Sequence, residues 1–87
     1  MYDKLKYFKD NYGRPGYPDQ RAVQDFVECE NRESVRSFQN ALNAVVSGGF
    51  NPESLAVVLG KDRLARHGSW EEWARLMMIW LKEATRH

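Results

Sequence analysis

Few residues in this chain could support a reaction, and their spacing limits what they can do. Cys29 is the single cysteine, and His67 and His87 are the two histidines. A zinc-type site takes three or four His, Cys or carboxylate ligands at workable spacing. No Cys-x-x-Cys or His-x-x-x-His occurs, so no metal and no cofactor are expected. Covalent catalysis needs a nucleophile, a base and a group that orients the base. Cys29 falls near the edge of a helical apolar face, where a thiol packs as a small inert hydrophobe. His67 reads as a solvated loop residue beside Arg66, with nothing in sequence tying it to Cys29 or to a serine. Glu71 and Glu72 are adjacent, but the capping role of Glu72 described below explains it without acid/base work. The expectation is a protein that is not an enzyme.

The segment Gly60-Lys-Asp-Arg-Leu-Ala-Arg-His-Gly68 places Lys61, Arg63, Arg66 and His67 against Asp62 alone. It lacks the Gly-Lys-Ser/Thr that puts a lysine and a hydroxyl on phosphate and magnesium. Ala56 and Gly60 imitate the small residue and turn glycine of a helix-turn-helix. The apolar position required six residues after that glycine is Arg66, however, and Gly68 would cut the recognition helix short. Nucleic-acid binding through Lys61, Arg63, Arg66 and His67, with a dimer doubling the patch, is therefore the alternative reading.

Aromatic residues cluster in two places. Asn11-Tyr-Gly-Arg-Pro-Gly-Tyr-Pro18 is a rigid loop. Its Tyr12, Arg14 and Tyr17 could form a preordered protein contact, or the tyrosines could lie over the core with their hydroxyls in water. All three tryptophans, Trp70, Trp73 and Trp80, fall within one C-terminal stretch. At about 100° per residue, Trp70, Trp73, Ala74, Leu76, Met77, Met78, Trp80, Leu81 and Ala84 cover an arc of roughly 200°, against roughly 100° for an ordinary surface helix. This predicts a central helix with Trp73 and Trp80 in the core. Ile79 falls on the opposite side, ringed by Arg75, Lys82, Glu83, Arg86 and Glu72. An apolar centre with a polar rim is the pattern of a small association surface. An antiparallel copy of the helix would pair Arg75 or Lys82 with Glu83 across a two-fold axis.

The elements that position these residues follow from periodicity and punctuation. Tyr2, Leu5, Phe8 and Tyr12 share one side of a short helix over residues 1–12, and two glycines and two prolines make 13–18 a loop. Val23, Phe26, Val27 and Cys29 recur at helical spacing after Pro18. Val35, Phe38, Ala41, Leu42, Val45 and Val46 do so between Arg32 and Gly48, where a glycine supplies the stop. Asn51 can cap and Pro52 suits a first helical position, starting a short helix that Gly60 ends. Its Leu55, Val57, Val58 and Leu59 point in all directions, which predicts burial on most sides. Lys61 to His67 is a helical or turn-like connector. Ser69 and Glu72 form a Ser-x-x-Glu capping box for the last helix, which runs to Thr85.

The resulting fold is all-α: a compact single domain over 1–87, with its helical core in 19–85, built as a bundle of four to five short helices and a longer C-terminal one. With 87 residues, such a domain buries only about 60 to 65% of its unfolded surface. A net charge of +1 supplies no overall positive field for nucleic acid. One cysteine is too few for a secreted disulfide scaffold and favours the cytoplasm. The charged first ten residues contain no signal-peptide core, and the longest apolar run, Leu76 to Leu81, is too short to span a membrane. The first expectation is a non-enzymatic module that binds another protein or itself as a homodimer, through Ile79 with its rim and through Tyr12, Arg14 and Tyr17.

Overall fold

The computed structural model describes residues 2–86. They form six helices: α1 (Tyr2–Asn11), α2 (Asp19–Cys29), α3 (Arg32–Val46), α4 (Pro52–Leu59), α5 (Lys61–His67) and α6 (Trp70–Ala84). The class is the expected all-α bundle. The connector from Lys61 to His67 is itself a helix, which brings the number to six.

Local chemistry sets the boundaries. Asn51 Oδ1 accepts the Ser54 amide at 3.0 Å and Pro52 opens α4, satisfying backbone donors that the first helical turn leaves free. Asn31 Oδ1 does the same for α3 through the Ser34 amide at 2.8 Å. Gly48 takes a φ of +82° just beyond α3, a conformation that L side chains avoid. Ser69 Oγ accepts the Glu72 amide at 3.1 Å at the start of α6. The Glu72 carboxylate pairs with Arg75 rather than with the Ser69 amide, so the expected box is corrected to its Ser69 half. Ser69→Ala is expected to cost about 1 kcal/mol with no change in the slope of denaturant unfolding. Equilibrium urea titration measures both, and unaltered stability would mean that this cap contributes nothing.

Helix α6 packs against α3, α2 and α5, which makes it the central helix. Trp70, Trp73, Ala74, Met77 and Leu81 are buried, while Met78 and Trp80 are half-buried. Leu76 is exposed. The buried face is therefore narrower than the apolar arc: its five residues span roughly 100° of the wheel. Trp80 and Leu76, expected within the core face, lie at its margin because neighbouring helices cover α6 from one side.

The second half of the core is aromatic. Phe8 of α1 stacks on Phe38 of α3 with centroids 4.7 Å apart, and Phe26 of α2 lies 4.8 Å from Phe38. Tyr12 meets Phe26 edge-on at 5.3 Å. Offset and edge-to-face pairs of this kind add to the area they bury. They join three helices separated in sequence.

Helix α4 corrects one expectation. Leu55 and Leu59 are buried, but Val57 is 85% exposed. An eight-residue helix lying on α1 and α5 presents one face to them, and Val57 falls on the other. Cys29 is corrected too. It is exposed at the C-terminal end of α2 rather than packed at its apolar edge.

Candidate functional site

The basic segment was expected to face solvent, yet Arg63 turns inward and is only 5% exposed. Its Nε donates to Asp19 Oδ2 at 3.0 Å, and Nη2 donates to Asp19 Oδ1 at 2.9 Å. Nη2 also reaches the Gly13 carbonyl at 3.0 Å, and Nη1 reaches that of Leu59 at 2.8 Å. Four of the five guanidinium N–H donors are spent in this way. Asp19 Oδ2 further accepts the Trp73 indole N–H at 3.2 Å. His67 Nε2 stands 3.8 Å from the same oxygen. Burial holds the His67 pKa below its ordinary value, with Asp19 pulling in the opposite direction.

This knot joins the α1–α2 loop, α2, α4, α5 and α6. Gly13 is part of its construction. A Cβ there would meet the Phe8 ring at 3.1 Å and Arg63 Nη2 at 3.2 Å, so a larger residue would push the guanidinium from its place. The bonds of the knot tie five segments of the fold together. Arg63 is thus corrected as a nucleic-acid contact, because a guanidinium bound on both edges inside the fold cannot also clamp a phosphate, while His67 stands half-buried beside it. Arg63→Glu, alone or with Lys61→Glu, would set a second buried carboxylate beside Asp19 and unfold the domain, so it cannot test binding. Lys61 and Arg66 remain exposed.

Residues of α1 and the Gly/Pro/Tyr loop are fastened to α2 and to its C-cap residue Glu30. Tyr12 donates to Glu30 Oε2, and Tyr7 donates to the same atom at 2.9 Å. Tyr17 donates to Asp25. Each acceptor carboxylate raises the pKa of the phenol bonded to it, since the bond favours the protonated form. Tyr12 and Tyr17 are half-buried, whereas Arg14 is exposed with its guanidinium 5.7 Å from the Tyr17 ring centroid. Of the three loop residues singled out, Arg14 is the one presented to solvent.

Ile79 is 48% exposed and lines a groove between α3 and α6 of about 550 Å³. Met78 and Leu81 supply apolar wall on the α6 side, Val46 does so on the α3 side, and Gln39, Asn43, Arg75, Lys82 and Thr85 complete the lining. The structure brings Arg75 and Lys82 together beside Ile79. Glu83 instead lines a hollow between α2 and α6, with Gln20, Gln24, Glu28, Trp80 and Ala84. Arg86 is exposed one turn beyond Lys82.

The α3 wall is what sequence reasoning missed. Gln39, Asn43 and Val46 are spaced by four and three and so share a stripe of α3, a signal that is legible. That this stripe borders Ile79 depends on how two helices pack.

Comparison with protein-family models, with curated proteins and with solved structures finds no match to this chain. Among the described residues, no group of three or more His, Cys, Asp or Glu could hold a metal ion, and no helix is long and apolar enough to cross a membrane. His87 lies outside the described residues.

Proposed function

We propose that this chain is a non-enzymatic protein-binding module whose α3–α6 groove receives an amphipathic helix of another protein, with carboxylates flanking its apolar face. One observation carries the reading: half-exposed Ile79 stands in a groove whose walls include Val46, Met78 and Leu81 and whose charged lining, Arg75 and Lys82, is basic. Helix-in-groove recognition takes apolar anchors at helical spacing, and a basic rim selects partners with acidic flanks.

The same charge layout favours a separate partner over an antiparallel copy of α6. On the wheel, Arg75, Lys82 and Arg86 lie on one flank of Ile79, with Glu72 and Glu83 on the other. An antiparallel pair is related by a two-fold perpendicular to the helices, which lays each flank against its own copy. Basic residues would then meet basic ones. The reading includes a cytoplasmic setting, supported by the exposed lone thiol of Cys29, which would be open to intermolecular oxidation in an oxidising compartment.

Incorporating a photo-crosslinking residue at position 79, with position 57 as an exposed control on another face, tests this in cells. The expected result is a defined adduct from position 79 alone, mapping to an acidic amphipathic helix in a different protein. An adduct with twice the chain's mass would put a second copy in the groove, and no adduct would remove the reading. Ile79→Lys should change folding stability by less than about 0.5 kcal/mol, as surface substitutions do, while eliminating capture by a crosslinker at Met78.

A further inference from the structure

Beyond the groove, we infer that the crevice between the α1–α2 loop and the α4–α5 junction binds a phosphate group. Lys9 from α1, Arg14 from the loop and Arg66 from α5 border a space of about 250 Å³, and Asp62 is the one carboxylate in its lining. Gly13, Pro15, Leu59 and Gly60 form much of the remaining wall.

Three features make this more than a chance meeting of surface charges. Arg63 is also part of the lining but is neutralised by Asp19, and Lys9 has Asp10 at 3.7 Å, which leaves the uncompensated charge on Arg14 and Arg66. Arg66 lies about fifty residues from Lys9 and Arg14, in a chain whose net charge is only +1, so folding concentrates cations that the composition does not supply in excess. Arg14 is also partly ordered. Its guanidinium lies against the Tyr17 ring, and Tyr17 is held by Asp25, which reduces the side-chain entropy lost on binding.

The chemistry suits a phosphate. Guanidinium groups bind its oxygens through paired, charge-assisted N–H bonds, and a recess with an excess of positive charge focuses the field on its occupant. Asp62 repels an anion, but the cations of the lining outnumber it. The phosphate could belong to a small molecule or to a nucleic-acid backbone. Lys61, exposed on the same helix as Arg66, would extend contact only for the longer ligand.

Titrating the isotopically labelled whole chain at low salt with pyrophosphate, and separately with a short single-stranded DNA, tests the inference. Pyrophosphate should shift the amides of Lys9, Gly13, Arg14, Gly60 and Arg66, with saturation. Arg14→Glu or Arg66→Glu should weaken binding at least about tenfold, since each turns a charge-assisted bond into repulsion. Arg75→Glu, in the groove on α6, should leave it unchanged. Both mutated arginines in the crevice are exposed, and a retained thermal midpoint verifies that each variant is folded. If DNA binds more tightly than pyrophosphate and Lys61 joins the shifted set, the source is a polynucleotide backbone. If pyrophosphate alone saturates, it is a small phosphate. No shift with either probe, or shifts spread equally over Arg75 and Lys82, would overturn the inference. The groove reading fails on its own crosslinking result and is independent of this one.

Discussion

Arg63→Met is expected to cost the domain about 3 to 5 kcal/mol, the usual loss when one partner of a buried ion pair is removed. A domain holds only about 5 to 15 kcal/mol in total, so a large share of its stability would go. The substitution keeps a flexible side chain of similar length, but Asp19, 5% exposed, is left as a buried carboxylate with the Trp73 indole and distant His67 for company. The Gly13 and Leu59 carbonyls lose their donor as well. Replacing Asp19 by Leu in the same chain should recover part of the loss, because an apolar pair no longer strands a charge. Recovery should stay incomplete, since the two carbonyls and the Trp73 N–H remain without their partners. Denaturant unfolding of wild type, both single variants and the double variant gives the coupling directly. Additive losses would show that the pair does not act as a unit.

The second large effect is at Trp73. It is wholly buried, packs edge-on against Trp70 at 5.9 Å and donates to Asp19. Trp73→Ala should cost about 3 to 5 kcal/mol through lost transfer energy and an unfilled cavity. Trp73→Phe separates the two contributions: it keeps an aromatic ring and removes the indole N–H, so a smaller loss of about 1 to 3 kcal/mol is expected from the bond left unmade to a charged acceptor. Trp80→Ala should cost less than Trp73→Ala, because Trp80 is half-buried beside the α2–α6 hollow. Of the three variants, Trp73→Ala should lower the urea midpoint most. Equal losses at Trp73 and Trp80 would mean that both indoles serve the core alike.

Much of the architecture was legible because it is written locally. Asn51 with Pro52 and Ser69 with Glu72 mark helix starts through capping bonds between residues three apart, and no tertiary contact is needed to read them. The central place of α6 was legible from its long apolar arc. Which margin of that arc would be uncovered, Leu76 as it proves, depended on neighbours. Val57 was misread for the same reason, since a short apolar helix contains no record of how many sides will be covered. Ile79 and its basic neighbours were visible on the wheel, but the opposing wall of Gln39, Asn43 and Val46 belongs to another helix.

The sequence by itself determined five of the six helical segments, their caps and stops, and the apolar faces that bring α6 to the centre, because each depends on contacts within one or two turns. Tertiary structure alone decided the fate of the charges. Arg63 and His67 sit among basic residues in a hydrophilic stretch, and nothing nearby in sequence distinguishes them from Lys61 and Arg66. The difference is Asp19, 44 residues from Arg63. A guanidinium is buried at tolerable cost only where a carboxylate and carbonyls already wait in the right geometry, and that condition does not exist until the helices carrying them have packed.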